Sequence, residues 1–348
     1  MKRRDFMVAG AAGASSLVLG SSAAMAANHA PVKLPSREGL QTSLVGDFLD
    51  LTTPEGNREA IARINGNTDL GSSGLGKTKF GWFKGIVHGV RPGEIVRDLV
   101  GFTGFSAARL LPSIDPEYPG YRKVLREVGF YTDLQTGEIL EYWDNPYLNE
   151  RVRVVPIAND PFNSPITAYT PPAPNYGGLN EEQREKVPML LDWERRGNHL
   201  SLARRINLFY PAALQPDKWP RESSGKFNRV SELFLYNLKW DEMQDASITS
   251  VEADGVWNRI TPWLPWMLMG PTPGHCFYSC FFGAVDTLDY VDPVMLEYAA
   301  KHYPKYFEAP ETWEEPSLSS LEWYAREQEP APIIDGVVPT APPTTPLF

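Results

Sequence analysis

FGWFKGIVHGV, residues 80–90, is the stretch whose reading decides the fold. Side chains of a strand point alternately to two faces, so Trp82, Lys84, Ile86, His88 and Val90 share one side and Phe83 and Val87 the other. Arg91-Pro92-Gly93-Glu94 reads as a turn, and residues 94–105 continue as a strand-pair candidate. Alternation returns over residues 122–130. Asp133-Leu134-Gln135-Thr136-Gly137 then forms a hairpin loop, with glycine available for positive φ. Residues 139–143 read as the return strand, broken at Asn145-Pro146. Residues 151–157 form the next, closed by Asn159-Asp160-Pro161. Short spacing, tight turns and no strand–helix alternation predict a mainly β protein, an antiparallel meander closing into a calycin-like barrel.

Further along, residues 200–209, 230–240, 256–261 and 277–282 read as strands, the last closing the barrel. Helices are expected on the periphery. Thr53-Pro54-Glu55 opens one, with proline in the first turn and an acid near its positive end, running to Asn65 before Gly66. Residues 168–197 interrupt the meander. Pro171, Pro172 and Pro174 make an extended linker, and Asn180-Glu181-Glu182 starts a helix carrying Met189, Leu190, Leu191 and Trp193. That insertion reads equally as a lid over the barrel mouth or as a surface excursion. Asp292-Pro293 and Ser317 start two more helices, the second with Leu318, Leu321 and Trp323 as outer cover. Residues 27–329 are thus expected to form one domain, and the Pro/Thr-rich residues 330–348 a disordered tail.

The chain has 348 residues, 42% of them hydrophobic, with net charge −10. That is enough for a sizeable core. Without a basic cluster, it argues against a nucleic-acid partner. The first 26 residues read as an address. Lys2-Arg3-Arg4-Asp5-Phe6-Met7 is a twin-arginine start, a mildly apolar run follows, and Ala24-Met25-Ala26 fits a cleavage site. Export by the twin-arginine machinery, to the periplasm or beyond, is the expectation. No later run has the ~18 apolar residues needed to span a membrane. Gly71 to Gly76 (GSSGLG) does not fit the phosphate-loop spacing and reads as a flexible loop.

WNRITPWLPWMLMGPTPGH, residues 257–275, carries the chemistry that stands out. It sets Arg259 among three tryptophans, two methionines and four prolines. Core packing accounts for most such clusters, but an aromatic wall holding one cation also suits a pocket for a flat or apolar molecule. Trp82, Tyr236, Trp257, Trp263 and Trp266 are the candidate wall. Glu232 shares a face with Phe234 and Tyr236, and an ion pair of Glu232 with Arg259 would serve as ligand anchor or structural tie. His88 is the best placed of the histidines for proton transfer, and His88, Glu232 and Arg259 form the candidate catalytic set. There is no G-x-S-x-G, H-E-x-x-H or C-x-x-C motif. Cys276 and Cys280 read as buried free thiols, and with His275 they supply too few ligands for a metal. No cofactor is specified. The pattern leaves three functions open: binding of a small apolar or aromatic molecule; a cofactor-independent isomerase, lyase or hydrolase needing His88, Glu232 and Arg259 to converge; or an envelope protein with a filled barrel.

Several strings have a family resemblance: Tyr131-Thr-Asp-Leu-Gln-Thr-Gly137-Glu-Ile-Leu, Trp143-Asp-Asn145-Pro146, Asn159-Asp160-Pro161, Ser231-Glu232, and Trp257-Asn-Arg259 leading to Pro265-Trp266-Met267. Over most of residues 45–310 the chain resembles the bacterial domain-of-unknown-function 1838 family. The resemblance implies one coherent domain and bacterial export, and carries over no catalytic residues.

Overall fold

The alternation in residues 80–90 belongs to the central strand of a ten-stranded antiparallel sheet. The computed structural model describes residues 41–170, 186–289 and 291–333. Strand β1 (Lys79–Val90) pairs on one side with β2 (Arg97–Pro112) and on the other with β14 (His275–Val285). Between them lie β3 (Gly120–Thr132), β4 (Tyr142–Asn145), β5 (Glu150–Arg153), β6 (Ile157–Asn159), β7 (Ser164–Thr167), β8 (Tyr169–Thr170), β9 (Val187–Pro188), β10 (Asp192–Arg196), β11 (His199–Pro211), β12 (Phe227–Lys239) and β13 (Ala253–Thr261). The order across the sheet is β10-β11-β12-β13-β14-β1-β2-β3-β6, with β7 also on β3. Two local meanders therefore meet at the β14–β1 seam, where Phe80 faces Val285 and Val90 faces His275.

The sheet curls. Phe102 on β2 and Trp257 on β13 are three strand positions apart, ~14 Å if flat at ~4.8 Å per step. Their ring centroids lie 6.2 Å apart. Across the three steps from β14 to β3, the hydroxyls of Tyr278 and Tyr131 come to 3.3 Å. The interior so formed is packed with rings: Phe83 on Phe102 at 4.8 Å, Phe234 on Trp257 at 5.7 Å, and Tyr236 on Phe282 at 4.7 Å. Glycines admit them. A Cβ on Gly104 would sit 2.5 Å from Phe83 Cζ, and one on Gly129 3.1 Å from Phe102 Cζ.

The expected closure takes a particular form. Among the described residues no ladder joins β10 directly to β6 or β7. Helix α1 (Pro54–Asn65) spans that gap. Its Asn57 Oδ1 accepts from the Leu191 backbone N–H at 3.0 Å and from Trp193 Nε1 at 2.7 Å, while its Asn65 Oδ1 accepts from Lys123 Nζ of β3 at 3.1 Å. The β8–β9 ladder and the Met189 N–H to Ala168 carbonyl bond add a second link. As predicted, α1 starts with Thr53 as cap, its side chain accepting from the Gly56 N–H. Its apolar side, including Ala60, Ile61 and Ile64, is buried in the main core rather than laid over it. A five-residue helix α2 (Trp240–Gln244) follows β12, and α3 (Pro293–His302) covers the outer face of the sheet. There Met295 and Ala299 join Phe105, Val128 and Phe130 in a second core. Helix α4 (Ser320–Glu327) starts three residues later than expected, with a Ser319–Glu322 capping box.

Two expected elements differ. Met189, Leu190, Leu191 and Trp193 do not lie on a helix: Trp193 is in β10, where buried Trp193 and Arg195 alternate with exposed neighbours. Gly197, at φ 61°, makes a two-residue Gly-Asn turn that returns the chain as β11. The expected helix start at Asn180 lies outside the described residues, as do residues 1–40, which include the expected leader at 1–26, and residues 334–348 of the expected tail. The return strand at residues 139–143 shrinks to one Thr132–Ile139 bridge. The chain diverts because β4 pairs with β5, and the buried turn between them docks on the 257–275 segment, Asn145 Nδ2 donating to the Met267 carbonyl at 2.7 Å.

Candidate functional site

A cavity of about 220 Å³ opens where the ring-filled interior ends. Three strands of the curled sheet supply its floor: Arg259 from β13, Tyr278 from β14 and Tyr131 from β3. Alternation puts Arg259 and Tyr278 inside, and register sets them directly opposite each other. Trp263 and Trp266 form an aromatic wall. Both are held by the chain around the 3-10 turn Pro265–Met267: Trp263 Nε1 donates to the Thr272 carbonyl at 2.9 Å, and Leu268 takes φ 58° at the turn's end. Asn159 of β6 and the loop residues Glu222 and Ser224 form the opposite side, and α4 lays Trp323 and Tyr324 across the top. The roof is tied down. Asn159 Nδ2 donates to Ser320 Oγ at 3.1 Å, the Ala331 N–H to Glu222 Oε1 at 2.6 Å, and Tyr324 packs edge-on against Trp219 at 5.8 Å.

Glu232 stands across from Arg259, in register on β12. Its Oε1 is 3.6 Å from Arg259 Nε, and its Oε2 accepts from Trp257 Nε1 at 3.1 Å. Burial is the largest single influence on Arg259 and opposes its charge, but Glu232 together with Tyr278, Tyr210 and Tyr131 outweighs it and the pKa is raised. Burial likewise pushes Tyr131 up to about 12 and Tyr278 well above its ordinary value, so both hydroxyls are donors throughout the neutral range. Next to Asn159, Glu127 is raised by burial and accepts from Asn159 Nδ2 at 3.1 Å.

Six side-chain atoms of the lining residues, Arg259 Nε, Trp266 Nε1, Trp323 Nε1, Asn159 Oδ1, Glu222 Oε2 and Ser224 Oγ, are buried without a hydrogen-bond partner among the described residues. Other such atoms, among them Arg58 Nε, Arg109 Nε and Asn163 Oδ1, are scattered away from the cavity. A buried polar group with no partner costs ~1–3 kcal/mol, so such groups are rare in folded proteins and do not gather at one place by packing alone.

The residues expected to act together are only partly brought together. Arg259, Trp263 and Trp266 line the cavity, with Glu232 behind Arg259. Trp257 and Tyr236 fill the interior instead, Trp257 stacked on Phe234 and tilted against Tyr278. Trp82 lies on the outer face, against the α3 core. His88 is also outside: it pairs with Asp98 at 2.6 Å and stacks on Phe277 at 5.7 Å. The sheet therefore separates His88 from Glu232 and Arg259, and the three do not converge. Cys276 and Cys280 are buried free thiols on the inner face of β14. Among the described residues no group of three or more His, Cys, Asp or Glu side chains could hold a metal ion.

Tyr131, Tyr278, Asn159, Glu222, Ser224 and Trp323 are cavity residues not singled out from the sequence. Tyr278 was the most accessible of them, since it alternates with Cys276 and Cys280. Glu222 and Ser224 sit in a loop without periodicity.

A family model described as protein of unknown function (DUF1838) matches residues 76–328. The chain belongs to the DUF1838 family. No curated protein sequence matches it. The match begins just before β1 and ends just after α4, so the DUF1838 region contains every residue that lines the cavity. Helix α1, which spans the gap in the sheet, precedes the match. In the described part of this DUF1838 protein no helix is long and apolar enough to cross a membrane.

Proposed function

We propose that this DUF1838 protein binds a small, largely aromatic molecule in the cavity between Arg259, Trp266 and α4. The observation that carries the reading is the convergence of unpartnered buried polar atoms on one aromatic-walled space. Apolar walls with a few polar groups set among them are the usual make-up of a small-molecule site. The filled-barrel alternative accounts for the ring-packed interior but not for the hollow beyond it. The enzymatic alternative loses its proton-transfer group, because His88 faces away. The twin-arginine leader supports an exported, periplasmic site of action.

Native mass spectrometry on protein exported by its own leader tests both parts. A retained small-molecule mass, lost on Trp266→Ala substitution, is the expected result. An apo mass, together with no change in tryptophan fluorescence across a panel of aromatic compounds, refutes the binding reading. Accumulation in the cytoplasm when Arg3 and Arg4 are intact refutes export.

A further inference from the structure

We infer that the cavity takes an aromatic acid that also carries a hydrogen-bond donor, such as a ring hydroxyl or amine. This rests on the binding reading above and specifies the ligand. The argument is a balance of hydrogen-bonding capacity. Arg259 Nε, Trp266 Nε1 and Trp323 Nε1 can only donate, and all three lack an acceptor. Arg259 adds a full positive charge. The Tyr131 and Tyr278 hydroxyls, 3.3 Å apart, sit on the same floor; one proton is spent on their own hydrogen bond, and the other is a further donor. A carboxylate fits such a set because it offers about four lone-pair directions and no proton. Glu232 does not fill this role: it stands 3.6 Å from Arg259 Nε, beyond hydrogen-bond range, and is engaged by Trp257.

The remaining orphans have the opposite need. Asn159 Oδ1 and Glu222 Oε2 are acceptors without donors, on residues only 1% and 2% exposed. Their other atoms are committed, Asn159 Nδ2 to Glu127 and Ser320, and Glu222 Oε1 to the Ala331 N–H. These bonds fix the side chains and leave one oxygen of each without a donor. Ser224 Oγ can serve in either sense. A ligand with acceptors alone would leave the Asn159 and Glu222 oxygens bare, and one with donors alone would leave Arg259 and the indoles bare. The aromatic lining residues Trp263, Trp266, Trp323 and Tyr324 favour a flat body.

Three related compounds test this by calorimetry on the full-length protein. 4-Hydroxybenzoate has both ends, 4-hydroxybenzamide lacks the charge, and benzoate lacks the donor. Each deletion is expected to weaken binding at least tenfold, because it leaves buried groups of the site unpaired. A loss smaller than tenfold for either analogue overturns the inference, while the binding reading stands if all three bind and Trp266→Ala abolishes that binding. Saturable binding by none of the three overturns both. Arg259→Gln should erase the preference for 4-hydroxybenzoate over 4-hydroxybenzamide. Since that change also strands Glu232, Arg259→Gln/Glu232→Gln is made alongside it, and a preference surviving in both variants overturns the assignment to Arg259.

Discussion

A double-mutant cycle on Arg259 and Glu232 measures how far the cavity floor is held by charge. The two groups face each other on β13 and β12, Nε to Oε1 at 3.6 Å, with 24% and 14% of their side-chain surface exposed. At that separation and an effective dielectric of ~20 the gross attraction is roughly 4–5 kcal/mol. Desolvation takes back part of it, and the cavity opening screens the rest, so the net coupling should be about 2 kcal/mol. Arg259→Gln and Glu232→Gln should each cost about 2–3 kcal/mol, because each strands the partner in a poorly solvated place. The double variant should then cost about 3 kcal/mol, well short of the sum of the two singles. Equilibrium unfolding in urea, followed by tryptophan fluorescence, gives the four stabilities, provided the denaturant slopes agree. A coupling below ~0.5 kcal/mol would refute the reasoning and make the pair an accident of register.

Stability should also respond to alkaline pH. Burial lowers both Lys79 and Lys123 to about 8, while the unfolded chain keeps its lysines charged up to ~10.4. Between those values each lysine makes the unfolded state bind more protons and so contributes a rise in stability with pH, at most ~1.4 kcal/mol per unit, while the raised thiols of Cys276 and Cys280 contribute the opposite slope. The difference isolates the lysine: from pH 8 to 9.5 the stability of the native sequence relative to Lys79→Met should rise in urea titrations, and a difference that stays flat or falls contradicts the assignment. Thiol chemistry gives a third check. Burial pushes Cys276 and Cys280 up to about 12, and both lie on the inner face of β14. A thiol-disulfide reagent should find no reactive cysteine in the native protein at pH 8 and two in denaturant, whereas rapid native labelling would mean that the interior opens.

Much of this architecture was legible because strands announce themselves by period. The positions of β1, β3, β11, β12 and β13 follow from alternation, and α1 and α3 from their caps. Alternation does not say which face is inside. In β1 the inner set is Gly81, Phe83, Gly85, Val87 and Gly89, and the three glycines make it look less like a core face than Trp82, Ile86 and Val90 opposite. Those glycines are small because other parts of the chain fill the space: a Cβ on Gly89 would lie 2.4 Å from the hydroxyl oxygen of Tyr147, in the turn between β4 and β5. That misdirection is why His88 and Trp82 looked like site residues. Just ahead of β10 the apolar run Met189-Leu190-Leu191, followed by Trp193, resembled a helix, whereas the chain runs on as an extended strand and turns at Gly197. The Arg259–Glu232 pair and the Trp263–Trp266 wall could be found from the sequence, since each lies within one or two neighbouring elements. Tyr131, Asn159, Glu222 and Trp323 come from four distant segments, and only the curling of the sheet and the placement of α4 unite them.

The seam between β14 and β1 has a kinetic meaning. On either side of it the sheet is wound from sequence neighbours, β1 with β2 and β3, β10 through to β14, each able to form over short loops. The seam alone joins Phe80 to Val285, and closing so long a loop costs on the order of 5 kcal/mol in chain entropy before its first contacts repay it. Within the sheet, folding should therefore wait at this seam, with two half-sheets formed and their facing edges bare. Since Tyr278 and Arg259 come from one half and Tyr131 from the other, the cavity has no floor until that wait is over.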